Sequence, residues 1–156
     1  MNYREPDLLK GLNDEQMEQA LALGSRISLP GGAELFGLGS EADRLFLIDR
    51  GRVKLTLPIQ LRGHDQDILV EERSSGQTVG WSALIPPYRF TLKATTLIET
   101  DLIALSRESL RALFAASPEV GYTVSLNLAA VIGQRLQLFQ TMWLREMQRV
   151  VERHCV

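Results

Sequence analysis

Cysteine is almost absent. The one thiol, Cys155, lies beside the C-terminus. It cannot close an internal disulfide and belongs to no metal-ligand spacing, so a reducing cytoplasm is the expected compartment. Histidine is nearly as scarce. His64 falls on an expected hairpin tip and His154 at the end of the last helix. Two such residues cannot assemble an imidazole-rich centre, and no metal or cofactor is implied. An excess of one charge is also missing: net charge is −2 and the pI about 5.7. A free-standing nucleic-acid binder carries a basic stripe, so nucleic acid is not an expected partner. No run approaches the ~18 apolar residues of a membrane helix. The opening MNYREPDLLKGL carries acids where a secretory leader would be apolar, so no membrane association is expected. There is no nucleophile motif, phosphate-loop lysine or dinucleotide fingerprint, and the expectation is that the chain is not an enzyme.

What is present is 156 residues, 45% of them hydrophobic, enough for one domain with a real core. The chain changes texture twice. NDEQMEQALALG (13–24) reads as a helix: Asn13 caps, Gln16 completes a capping box, and Gly24 stops it. From residue 25 to 105 short apolar runs alternate with glycine turns. RLFLID (44–49) and RVKLTLPI (52–59) flank Arg50-Gly51, a tight hairpin in which Gly51 supplies the positive φ. QLRGHDQD (60–67) reads as a polar tip, and DILVEER (67–73), RFTLKATT (89–96) and LIETDLIALS (97–106) as further strands. That cadence predicts a closed or rolled β body. From Ser106 the chain turns helical. Ser117-Pro118 restarts it, with Pro118 suited to a first helical position. The rest, if helical throughout, runs about 50 Å.

That last segment repeats Leu128, Ile132, Leu136, Phe139, Trp143, Met147 and Val150 at steps of three and four. A second set, Val124, Val131, Leu138, Met142 and Leu144, widens the stripe. One small β body cannot cover so much apolar helix. The expectation is a homodimer, with one face on the β body and Leu128, Ile132, Leu136, Phe139, Trp143 and Met147 meeting a twin helix across a two-fold axis. A single-domain burial of the whole helix is the alternative.

This order of elements resembles the cyclic-nucleotide-binding domain family. The resemblance rests on LPGGAELFGLGSEADRLFLIDRGRVKL (29–55), SSGQTVGW (74–81), TLKATTLIETDLIAL (91–105) and SRESLRALFAASPEV (106–120). Gly39, Gly51, Gly76 and Gly80 fall where the family places turn glycines. It implies a mainly β fold with flanking helices, a double-stranded β-helix or jelly-roll-like β-roll. The expected layout is one domain over 1–156, with N-terminal helices at 5–24, the roll at 25–105 and C-terminal helices at 106–151. Many relatives carry a helix-turn-helix after the long helix. With the chain ending at Val156, the expectation is a cytoplasmic sensor module without that output, signalling through the dimer and through an unidentified protein partner.

The resemblance also implies a ligand loop. In the family, a glycine-glutamate pair opens a short helix that leads to an arginine. Backbone N–H groups at the helix start face a phosphate, the arginine neutralises it, and the glutamate accepts from the ribose hydroxyl. Here VGWSALIPPYRF (79–90) keeps Gly80 but holds Trp81 at the acid's position and Tyr88 at the arginine's. Arg89 comes one residue late, a step that reverses the side chain's face in a strand. Candidate ligand residues are Gly80, Trp81, Ser82, Ala83, Leu84, Tyr88, Arg89 and Phe90. Three readings stay open. The loop binds cyclic AMP or cyclic GMP, as ligand rather than cofactor, through Arg89. Or Trp81 and Tyr88 wall a site retuned for another small anion. Or both aromatics fill the old pocket, leaving a ligand-free dimerisation and interaction module. At the base end, Arg135, Gln137, Phe139, Gln140 and Thr141 occupy the comparable stretch of the long helix.

Overall fold

The computed structural model describes residues 5–155. Residues 1–4 and 156, which belong to the reading of the N-terminus and to the expected 1–156 domain, lie outside the described residues.

A single 3-10 turn, Asp7–Leu9, precedes α1, Asp14–Ala22. The capping box forms as expected: Asn13 Oδ1 accepts from Gln16 N at 2.8 Å, and Asn13 N donates to Gln16 Oε1 at 3.1 Å. Eight strands follow: β1 (Ser25–Leu29), β2 (Glu34–Phe36), β3 (Arg44–Arg50), β4 (Arg52–Leu61), β5 (His64–Ser74), β6 (Thr78–Val79), β7 (Lys93–Thr96) and β8 (Thr100–Ser106). They pair antiparallel into two four-stranded sheets, β1-β8-β3-β6 and β2-β7-β4-β5. The fold is thus mainly β, a jelly-roll-like body with flanking helices. In β3, Leu45, Phe46, Leu47 and Ile48 are all buried, because this strand has the roll's interior on one face and helices on the other.

The β4–β5 hairpin is longer than its polar sequence suggests. Pairing runs out to Leu61 and His64, so the expected 60–67 tip shrinks to Arg62-Gly63, both at positive φ (51° and 81°). Backbone pairing extends this ladder without needing apolar side chains, which hydropathy cannot register. Residues 89–92 differ too: the strand expected from 89 begins at Lys93, and before it there is one isolated bridge, Glu41 to Arg89.

Ser106 caps α2, Arg107–Ala116, by accepting from Ser109 N at 3.1 Å. Then α3, Pro118–His154, runs unbroken for 37 residues, about 55 Å. Its buried positions are Val120, Val124, Leu128, Val131 and Arg135, one side of the helix, facing the roll. Asn127 Nδ2 donates to the Leu8 and Lys10 carbonyls, both at 2.8 Å, and ties α3 to the N-terminal turn. Beyond Met142 every described α3 residue is exposed.

Gly51 turns β3 into β4 at φ 115°, the positive φ that the sequence predicts, but the expected hairpin is corrected: β3 and β4 do not pair and belong to different sheets. The turn is a corner between sheets, and a Cβ there would lie 2.6 Å from Thr100 Cα. Gly39 has φ 80° but open space around it. Gly51→Ala is therefore expected to lower unfolding free energy by about 3 kcal/mol, and Gly39→Ala by about 1 kcal/mol, in urea titrations.

Candidate functional site

Gly80 opens the loop at φ 80°. A Cβ on it would meet Phe90 at 3.0 Å, Phe36 at 3.3 Å and Phe46 at 3.5 Å. Glycine is required here twice over, for its dihedral and for the aromatic rings against it. Trp81–Leu84 then form a 3-10 turn, closed by Ala83 N donating to Gly80 O at 3.1 Å. Ser82 and Ala83 are buried, while Trp81 and Leu84 are half-buried. The Pro86-Pro87 peptide is cis.

The aromatic that enters the roll is Phe90. Its ring stacks on Phe36 at 3.8 Å between centroids and 9° between planes, and Phe36 in turn lies 6.2 Å from Phe46. Tyr88, expected as a wall of the site, goes the other way. It sits at φ 59°, its ring lies 4.0 Å beneath the Arg107 guanidinium, and its hydroxyl pairs with Arg111 Nη2. Arg107 also donates to the Ala42 carbonyl at 2.7 Å, which locks α2, the loop and the 41–43 turn together. Arg89 is exposed and donates to the Gly39 carbonyl at 3.1 Å. Neither it nor Tyr88 lines the space beside Gly80. Arg89, the phosphate partner in one of the three open readings, bridges Glu41 through its backbone and carries its side chain toward the 37–40 turn.

The cation that does line this space comes from α3. Arg135 is 8% exposed and stands 5.8 Å over the Trp81 ring. Its Nε donates to Glu71 Oε2 on β5 at 3.1 Å. The other Glu71 oxygen lies 2.8 Å from Arg73 Nε, an ion-pair contact too bent for a hydrogen bond. Arg73 reaches on to Asp7 at 4.0 Å, and Asp7 accepts from the Thr78 hydroxyl at 2.6 Å. Burial pulls the Arg135 pKa down, Glu71 beside it pulls it back up, and Arg73 lowers it again. The cavity left among Phe36, Leu55, Gly80, Trp81, Ser82, Phe90, Thr91, Leu92 and Arg135 measures about 20 Å³, room for a water molecule.

Sequence reasoning named Arg135 only as one of several residues near the base end, and did not consider Glu71. A signal for Arg135 was there. Val124, Leu128, Val131, Arg135, Leu138 and Met142 alternate steps of four and three, so Arg135 falls within an apolar seam. Glu71 had none, since DILVEER gives no way to tell which of two adjacent acids turns toward a helix.

The residues expected at the dimer face divide. Leu128 is buried against the roll, and Ile132 and Phe139 are half-buried. Leu136, Trp143 and Met147 are exposed, at 57%, 62% and 39%. They lie on an outward seam with Tyr122, Leu126, Ala129, Gly133, Gln140 and Val150, again in alternating steps of four and three. Packing on the roll separates two seams that overlap in the bare sequence. Among the described residues no group of three or more His, Cys, Asp or Glu side chains gathers as a metal site, and no helix is long and apolar enough to cross a membrane.

The fold agrees with comparisons to known proteins. A family model for the cyclic nucleotide-binding domain matches residues 26–117, and the chain belongs to that family. It is 29% identical over 130 residues to the cyclic AMP receptor protein of Thermus thermophilus, covering 83% of this chain and 57% of that protein. The solved catabolite activator protein of Thermus thermophilus superposes with a TM-score of 0.73 at 27% identity, over 91% of this chain and 63% of that one. The N-terminal domain of a transcriptional regulator from Streptomyces coelicolor gives 0.71 at 26% identity, over 88% and 94%.

Glu71→Gln removes the carboxylate shared by two buried guanidiniums and is expected to lower unfolding free energy by about 3 kcal/mol. Arg135→Met takes its own charge away, and about half that loss is expected in the same urea titrations.

Proposed function

We propose that this chain is a dimeric regulatory module whose nucleotide position is filled by its own side chains. The observation that carries this reading is the Phe36–Phe90 stack at 3.8 Å with Arg135 and Trp81 closing over it, leaving about 20 Å³. Ligand pockets ordinarily begin at about 300 Å³. Of the chemistry the family resemblance implies, the loop acid is Trp81, and the arginine position holds Tyr88, engaged by α2. The partner for the outward α3 seam is a second copy of the chain: nine positions in unbroken heptad spacing, from Tyr122 to Val150, suit a two-stranded coil. Gln140, polar within that seam, would fix its register. Output passes through the dimer and a protein partner in the cytoplasm, without catalysis by this chain.

A second reading has one observation in its favour. The Arg135 guanidinium stands beside the 80–84 loop, and if released from Glu71 it would offer a phosphate-type anion forked donors.

Calorimetric titration separates the two. No binding of cyclic AMP or cyclic GMP tighter than about 1 mM is expected. Micromolar binding that Arg135→Met abolishes would overturn the filled-pocket reading and establish the second. For the dimer, light scattering should give a dimer mass for the native chain and a monomer for Leu136→Glu/Trp143→Glu, with the circular dichroism of the roll retained. A monomeric native chain would remove the twin-helix arrangement.

A further inference from the structure

A roomy depression lies away from the nucleotide position. It encloses about 750 Å³ between α1, the Glu5–Pro6 segment and the outer face of the β1-β8-β3 sheet. Its floor is apolar: Leu12, Met17, Leu21, Leu47 and Ile103. Arg26, Ile103 and Leu47 are register partners on three adjacent strands, so they form one row across the sheet beneath α1. Gly24 keeps the α1–β1 turn pressed to that row; a Cβ there would come within 2.3 Å of Ile103 Cγ2. The size falls in the range of small-molecule pockets.

Among the described residues the rim is charged, with carboxylates in excess. Its ionisable residues are Glu5, Asp14 and Asp49 against Arg26. Arg26 pairs with Asp49 at 3.1 Å, and among the described residues Glu5 accepts a backbone N–H from Gly11 and has no cationic partner. Asp14 has no cationic partner among the described residues. Backbone groups at the mouth are engaged as well: Gly76 N donates to Ile48 O, and Gly76 O accepts from Asp7 N. Recognition at this mouth therefore falls to carboxylates above an apolar floor.

We propose that this groove is a binding site for a small amphipathic cation, an apolar body carrying a protonated amine. The body lies on Met17, Leu21 and Ile103, and the ammonium sits between Glu5 and Asp14. The site is separate from the loop at Gly80, so it stands whether or not that loop takes a nucleotide. A ligand there would bridge α1 and the sheet.

The test is a titration of the full chain, followed by amide NMR, with 2-naphthylethylamine and with its anionic counterpart, 2-naphthylacetate. Saturable shifts are expected for the amine at Leu21, Gly24, Ser75 and Ile103, with those at Trp81 and Phe90 unmoved. The acid should leave these signals in place. Glu5→Gln/Asp14→Asn, which alters exposed groups and preserves the fold, should weaken the amine about threefold or more. Leu21→Trp, which fills the floor, should abolish saturation. The proposal is overturned by absent saturation, by equal binding of acid and amine, or by an unchanged affinity in the double variant. Binding that emerges only after residues 1–4 are deleted would also overturn it, assigning the groove to the chain's own N-terminus.

Discussion

Everything around the candidate site depends on one carboxylate held between two guanidiniums. Glu71 projects from β5 with Arg73 at 2.8 Å and Arg135 at 3.1 Å. Both arginines are almost sealed from solvent, and burying either guanidinium without a carboxylate partner would carry a heavy desolvation cost. The carboxylate makes their burial tolerable, and in doing so fastens α3 to the roll. That attachment brings Arg135 over Trp81 and closes the space beside Gly80. It also fixes which side of α3 is spent on the roll and which is left outward.

The loop chemistry follows from this arrangement. A ribose-binding acid at position 81 would place a second carboxylate near Arg135. Trp81 instead offers a ring face to the guanidinium, which weakens no ion pair and excludes water. Phe90 is buried in the roll, stacked on Phe36. Tyr88, displaced from the interior, becomes a clasp for Arg107 and Arg111 on α2. The loop's side chains serve packing between the roll and the helices.

The architecture was largely legible in the sequence because its signals are local. The Asn13 capping box, the positive φ of Gly51 and the Pro118 helix start each fix a backbone feature within a few residues, and each stands where it was read. The pairing of the strands around Gly51, by contrast, is set by partners far along the chain and is not the hairpin expected. The family resemblance was legible for the same reason, through turn glycines in order. The site was harder. Whether Tyr88 or Phe90 enters the roll depends on where β7 begins, and hydropathy assigns a strand to 89–92 that backbone pairing does not form. Glu71 was illegible, since its role is set by a residue 64 positions away. The two seams of α3 merge in a linear reading, because a three-four repeat marks apolar faces without saying what covers each.

Helix α3 therefore carries two instructions. Its inward seam, ending in Arg135, Leu138 and Met142, answers to the roll. Its outward seam, centred on Leu136 and Trp143, is left exposed. The most direct measurement is hydrogen exchange along residues 128–142 in the native chain and in Glu71→Gln. The account predicts markedly faster exchange in that segment of the variant, with the β3 and β8 amides still protected. Unchanged protection along α3 would contradict it and show that the apolar contacts alone hold the helix to the roll.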